Sequence, residues 1–347
     1  MKKLIAISVV IALVAGAAFA DVSIGGNVKI GVPLLRGDVD SGDINAGTAL
    51  LYDMHLNFGY GDSSNGGMMR MWSKTNEWQP AMFAFLWFTP IDMLRIQVGI
   101  NPDADWGAQQ IGGWGFNAEA QGGTSLDQHR GLTGVNIVAR TSGFYGGFSD
   151  LGVGLSFTFA PEFKLNIGIP FNDNRAAEQT YLRSHINAVI NLDGVGVARV
   201  SAVMKGLDTS DDSFIIPDVF ASFYLTAIDG MNVDLGFAYR NETPEFGLGF
   251  RFVEGDITFR ARAGFVMAEN NMQFGIHVLP SFNMGDMMLF LNAGFAMNLD
   301  AETMGWFVNP YIRTSFGGIR LYAGFQLYAN EDEVIRWSLP ISFNVYL

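Results

Sequence analysis

The segment IRWSLPISFNVYL, residues 335–347, carries an apolar side chain at every odd position: Ile335, Trp337, Leu339, Ile341, Phe343, Val345 and Leu347. Arg336, Ser338, Pro340, Ser342, Asn344 and Tyr346 stand between them. A period of two puts the two sets on opposite faces of a β-strand. Terminal residues are usually loose and polar unless something ties them down. A patterned strand running to a final leucine therefore predicts a sheet neighbour that holds it.

The same period recurs along the chain. Leu50, Tyr52, Met54, Leu56, Phe58 and Tyr60 alternate with Asp53, His55 and Asn57. Leu94, Ile96, Val98 and Ile100 enclose Arg95 and Gln97, and Ile186, Ala188, Ile190 and Leu192 oppose His185, Asn187 and Asn191. Met231–Tyr239, Ile257–Phe265 and Met287–Phe295 repeat the pattern. Gly- and Asp-bearing turn signals separate the runs at 89–92, 192–194, 228–230, 254–256, 285–286 and 316–318. Longer polar connections are expected at 37–47, 172–179, 206–213 and 298–305. Toward the C-terminus short and long connections take turns, which suits a barrel with tight turns at one rim and loops at the other.

Composition separates a soluble sandwich from a membrane barrel. Apolar residues make up 49% of the chain and charged ones 16%, with 42 Gly and 29 Phe. Beyond residue 100 the only lysines are Lys164 and Lys205, whereas a water-facing sheet normally shows many. The apolar face carries bulky Phe, Leu, Met and Trp, and the polar face carries single Arg, Asn and Gln among small residues. That is the pattern of apolar-out, polar-in strands, whose closure leaves no edge facing lipid. Beyond the N-terminus no run reaches the ~18 apolar residues that a spanning helix requires. Tyr60, Trp78, Trp306, Tyr328 and Tyr346, near strand ends, are expected in interfacial girdles. A net charge of −13 argues against nucleic acid as a partner.

At the other end, MKKLIAISVVIALVAGAAFA (1–20) joins Lys2 and Lys3 to a short apolar run and Ala18-Phe19-Ala20, the parts of a cleaved signal peptide. Residues 21–347 are then one all-β domain, a transmembrane antiparallel β-barrel. Its last strand closes against a first strand near Val22–Val32. Segment 335–347 resembles the C-terminal signal of bacterial outer-membrane barrels, which the barrel-assembly machinery recognises. It departs from that signal in ending on Leu347 rather than an aromatic residue and in carrying Pro340. In texture the chain resembles porin-like outer-membrane proteins, spirochaetal ones among them. The resemblance implies residence in the cell outer membrane and passive diffusion of small hydrophilic solutes.

Nineteen strand candidates can be counted, and an even number is required when both termini share one side. Eighteen or twenty are the admissible values, and about 18 is expected. A barrel that wide encloses water. Residues 101–131 form the longest connection, with Asp103, Asp105, Glu119 and Asp127 as candidate acids of a constriction loop. Parity places Arg183, Arg199, Arg240, Arg251, Arg260, Arg262, Arg313, Arg320 and Arg336 on the lumen face. Opposed charges across a narrow pore would orient and filter solutes. The plainer expectation is local pairing of these arginines with Asp53, Asp218 and Asp234.

Other readings are weaker. A surface barrel with adhesive outer loops fits the same pattern. A carrier of hydrophobic compounds would need an N-terminal plug, and the first strand leaves no room for one. Asp53 with His55, and Asp103 with Asp105, could activate water, as outer-membrane hydrolases do, but acidic chains yield such pairs by chance. His129, His185 and His277 lack metal-ligand spacing, and no phosphate loop is present. No catalytic residue, metal or cofactor is assigned. A homo-trimer is compatible with the pattern, because an oligomer face and a lipid face are both apolar.

Overall fold

The computed structural model describes residues 22–46, 51–74, 77–100, 151–171, 184–206, 214–329 and 334–346. Six strands open the chain: β1 (Val22–Asp38), β2 (Ile44–Ala46), β3 (Leu51–Gly61), β4 (Asn65–Lys74), β5 (Glu77–Ile91) and β6 (Leu94–Ile100). The middle comprises β7 (Leu151–Ala160), β8 (Phe163–Pro170), β9 (His185–Leu192), β10 (Gly196–Val203), β11 (Asp218–Ile228) and β12 (Met231–Arg240). Then come β13 (Thr243–Glu254), β14 (Ile257–Ala268), β15 (Asn271–Val278), β16 (Ser281–Met284) and β17 (Met287–Asn298). The chain ends with β18 (Thr303–Phe316), β19 (Ile319–Gly324), β20 (Gln326–Ala329) and β21 (Ile335–Tyr346).

These segments make eighteen staves of one closed antiparallel barrel. The short β2 only folds back onto the end of β1, through Leu35↔Ala46 to Gly37↔Ile44. β15 and β16 are one stave, since both keep the same register on β14 and lapse only at Leu279-Pro280. Pro280 has no N–H to give the ladder there. β19 and β20 are likewise one stave, lapsing at Phe325 with the register on β21 unchanged. The cause lies in the neighbours, because Pro310 on β18 and Pro340 on β21 flank that position, and the Phe325 N–H donates to the Pro310 carbonyl at 3.0 Å. Pro340 is thus accommodated where the adjacent ladder is interrupted.

Closure is made by β21 against β1, from Asn27↔Tyr346 to Asp38↔Arg336, with a register shift between Pro33 and Leu35. Pro33 and Pro340 face each other across this seam. The expected pairing of last strand with first is therefore present, and it extends beyond Val32 to Asp38. β6 pairs with β7 from Leu94↔Phe157 to Ile100↔Leu151, so the ring is continuous across the segment between them.

Among the described residues one rim holds only tight turns, among them 62–64, 92–93, 161–162, 229–230, 255–256, 285–286 and 317–318. Gly255 and Gly317 supply positive φ angles of 53° and 60° there. At Asp62 the carboxyl, which accepts the Asn65 and Ser64 N–H groups, is held below the usual carboxylate range by those bonds. The opposite rim differs from the expectation of long loops throughout. Asn241-Glu242 is a two-residue turn with φ of 49° and 63°, and Glu269-Asn270 is another short connection. Thr303 begins β18, so the 298–305 connection shrinks to 299–302. The Asn241 turn is anchored, since its N–H donates to Asp218 Oδ1 at 2.8 Å and Lys205 Nζ donates to its Oδ1 at 2.7 Å.

The sides of the sheet are told apart by burial. Along β13, Glu245 is 4% exposed, whereas Phe246 and Leu248 are 46% and 45% exposed. The same alternation runs through β9, β12, β17 and β21. Charged and amide side chains point into the barrel and most large apolar ones point out, the inverse of a water-soluble sheet, while Phe290, Phe307 and Tyr311 are aromatic residues that also face in. Tyr60 and Trp306 lie on the outer face near strand ends, as a girdle requires. Tyr328 and Tyr346 do not, because their register partners Phe307 and Asn27 belong to the inner face. Residues 1–20, the 101–131 segment and the side chain of Trp78 lie outside what the structure describes.

Candidate functional site, the inner wall of the barrel

Every described arginine that parity assigned to the lumen is on the inner face: Arg199, Arg240, Arg251, Arg260, Arg262, Arg313, Arg320 and Arg336. Arg183, Asp103, Asp105, Glu119 and Asp127 lie outside the described residues. The arginines do not form one row at one height. Arg313 and Arg320 sit near the turn rim, Arg240 and Arg336 near the loop rim, and Arg199, Arg251, Arg260 and Arg262 between them. Height depends on the residue's place in its strand and on register, which parity does not report.

Local contacts differ from one arginine to the next. Arg240 grips Glu245 in a two-point pair, Nε to Oε1 at 3.1 Å and an Nη2 contact to Oε2 at 2.6 Å. Arg251 donates to Asn232 Oδ1 at 3.2 Å and stands directly opposite Arg260 across the β13–β14 pair. Arg320 donates to the Tyr346 hydroxyl at 2.9 Å with its guanidinium 4.7 Å from that ring. Arg313 meets Met288 Sδ and lies 5.3 Å from the Phe290 ring. Asp218 pairs with Lys205 at 2.6 Å rather than with an arginine. The side chain of Asp53 is not described.

Three rows organise the wall. In the first, Asp234, Gly249, Arg262, His277, Gly294, Phe307 and Tyr328 are successive cross-strand partners from β12 to β20. Glycines separate the residues that interact. Gly249 leaves Asp234 facing Arg262 across β13, and those two charges act on each other. Gly294 admits the Phe307 ring to His277, edge-on at 5.3 Å between centroids. A Cβ on Gly294 would stand 2.4 Å from Phe307 Cε1, so only glycine leaves this contact intact. His277 Nε2 also meets Asn292 Oδ1.

The second row is an amide ladder. Ser156, Asn166 and Asn187 are in register on β7, β8 and β9, joined by a Ser156–Asn166 bond and an Asn166–Asn187 bond of 3.2 Å. On the far side Asn292 and Asn309 are direct partners, and Ser338 donates to Gln326 Oε1 at 3.2 Å. The third is aromatic. Phe290 and Tyr311 stack at 4.7 Å with planes 6° apart, Tyr322 follows at 6.2 Å, and Leu279 completes the cluster. This cluster thickens the wall from β17 to β19.

Arg70 and Arg95 also face inward and were not singled out. Arg70 donates to Asn57 Oδ1 at 2.5 Å, and Arg95 lies 4.7 Å from the Trp87 ring. Alternation with Met69 and Met71, and with Leu94 and Ile96, would have marked both. Among the described residues no group of three or more His, Cys, Asp or Glu could hold a metal.

No family model and no curated protein matches the sequence. Solved structures do match in shape. A multiply substituted porin of Rh. blastica is similar over 94% of this chain and 100% of its own, at 10% identity and a TM-score of 0.52. OccAB4 of Acinetobacter baumannii is 9% identical, covering 94% of this chain and 98% of its own, with a TM-score of 0.56. OpdQ of Pseudomonas aeruginosa is 7% identical over the same shares, with a TM-score of 0.57. At such identities the likeness carries the fold, which is a closed antiparallel barrel of the porin type.

Proposed function

We propose that the protein is a pore of the cell outer membrane through which small hydrophilic solutes diffuse passively. One observation carries this reading: along the described staves the charged and amide side chains face inward, beside one aromatic cluster, and the large apolar side chains exposed at the surface face outward. Asn187, Ser201, Ser222 and Asn309 all face inward and are buried, and each has a polar atom with no hydrogen-bond partner among the described residues. Such groups destabilise by about 1–3 kcal/mol each unless something polar meets them. Amide and hydroxyl groups at these positions suit a wall beside water rather than an apolar core.

Arg199, Arg251, Arg260 and Arg262 form the cationic side of the proposed filter. Asp103, Asp105, Glu119 and Asp127 are its candidate acidic side, and Arg183 and the rim arginines extend the basic lining. Residues 1–20 act as a cleaved leader, and β21 is the strand read by the assembly machinery. Association into a homo-trimer through the apolar outer face is part of the same proposal. The solutes, not a reaction, are the business of this wall, so no catalytic or metal role is assigned.

Swelling of proteoliposomes in graded sugars tests the pore, with passage up to a size limit expected. Absence of swelling at every size would reject it. For the filter, Arg260→Ala with Arg262→Ala should shift reversal potential toward cation preference in planar bilayers. Unchanged selectivity would remove these arginines from the filter.

A further inference from the structure

At the loop rim the order Arg36-Gly37-Asp38 puts a guanidinium and a carboxylate on the inner face of β1, with a bare residue between them. Register builds outward from there. Arg336 of β21 stands opposite Asp38, and Tyr328 of β20 opposite Arg336. One step below, Ser338 and Asn45 flank Arg36 from either side. Asp43 adjoins Asp38, whose N–H donates to the Asp43 carbonyl at 3.2 Å. Arg36, Asp38, Asp43, Asn45, Tyr328 and Arg336 line a cavity of about 410 Å³, room for roughly a dozen water molecules.

The frame of this cavity is fixed by local bonds. Asp38 Oδ1 accepts the Asp40 and Ser41 N–H groups at 2.8 and 3.1 Å, and Ser41 Oγ accepts the Asp43 N–H at 3.2 Å. The Val39 N–H donates to the Ile335 carbonyl at 2.9 Å, tying the turn to β21. A Cβ on Gly37 would stand 2.7 Å from Trp337 Nε1, so glycine lets the indole back the wall there. The groups that could meet a solute remain open. Arg36, Asp43 and Asn45 are exposed, and their side chains make no hydrogen bond or ion pair among the described residues.

Charge and chemistry select the ligand. Arg36 and Arg336 balance Asp38 and Asp43, so the cavity is neutral and draws neither cations nor anions from a distance. Opposite charges interleave at a strand spacing of about 4.8 Å, with the Asn45 amide among them. An ion of either sign therefore meets an opposing charge one stave away. Hydroxyl groups both donate and accept, so a molecule carrying several pairs with carboxylates, guanidinium groups and the amide at once.

We propose that this cavity is a subsite for small sugars at the loop-rim mouth of the pore. Sugar hydroxyls donate to Asp43 and to Oδ2 of Asp38, and accept from Arg36 and the Asn45 amide. This assignment rests on the pore reading and sharpens it, making Arg36 and Asp43 specificity-determining residues.

Single-channel recording of the full-length protein in potassium chloride separates the two claims. No current at all overturns the pore and the subsite together. Given a current, sucrose, triglycine and a polyethylene glycol of the same size are compared as blockers of the wild type, Arg36→Gln and Asp43→Asn. In the wild type sucrose should halve the current at roughly tenfold lower concentration than the glycol, the effect expected of charge-assisted hydrogen bonds. Each substitution should cut that margin to about threefold or less. Asp286→Asn, at the opposite rim, should leave it unchanged. The subsite is overturned if sucrose blocks no better than the glycol, if triglycine blocks as well as sucrose, or if either Arg36→Gln or Asp43→Asn keeps the full margin. Loss of the margin in Asp286→Asn overturns its placement at the loop rim. Should one of the two loop-rim variants give no channels, the other is read alone by the same criterion.

Discussion

Replacing Leu248 by arginine tests the orientation on which the rest depends. Leu248 is 45% exposed on the outer face of β13, between Leu235 and Ala263 in register. Five residues separate it from Thr243 at the loop rim and six from Glu254 at the turn rim. At ~3.4 Å per residue and a tilt of ~45°, that is about 12 Å and 14 Å along the membrane normal. Leu248 therefore sits near the middle of the apolar band. An arginine there should cost roughly 2–4 kcal/mol, whereas one near the interface should cost about 0–1 kcal/mol. Ile257, 51% exposed at the start of β14, provides the interfacial comparison. Urea unfolding in phospholipid vesicles, followed by tryptophan fluorescence, measures both variants. If the outer face met water, Leu248→Arg would change stability by only ~0.5 kcal/mol, as exposed surface substitutions do. Equal costs for Leu248→Arg and Ile257→Arg would refute the reasoning.

Two further substitutions probe local geometry. Glu242 holds a φ of 63° in the two-residue turn after β12, a conformation that disfavours a side chain by about 1–2 kcal/mol. Glu242→Gly should raise stability by ~0.5–1 kcal/mol in the same unfolding assay, and a loss would show that the carboxylate is used elsewhere. Gly294→Ala should destabilise by about 1–3 kcal/mol, because the new Cβ meets the Phe307 ring. Adding Phe307→Leu should recover part of that loss, and strictly additive effects would mean the ring is not the obstacle.

Strand identity was legible in the chain because side-chain direction is a local property of the backbone. A period of two marks inner and outer positions with no knowledge of neighbours, so Arg199, Arg262 and their fellows could be placed on the inner face from residue order alone. Antiparallel closure of β21 onto β1 was readable for the same reason, since a terminal patterned strand requires a partner. Pro340 was the puzzling residue, and pairing resolved it. Phe325, beside it, lapses from the ladder where Pro310 stands on its other flank.

What residue order by itself determined is which side chains face the inside of the barrel, which face outward, and that the staves number about eighteen. What only the tertiary structure decided is height and company around the ring. Asp234 stands across Gly249 from Arg262, a glycine strip runs beside them, the arginines spread between the rims, and Tyr328 turns inward against Phe307. These depend on register, which is set by hydrogen bonds between strands far apart in the chain. Sliding one strand by two residues preserves every inside and outside assignment while changing every neighbour.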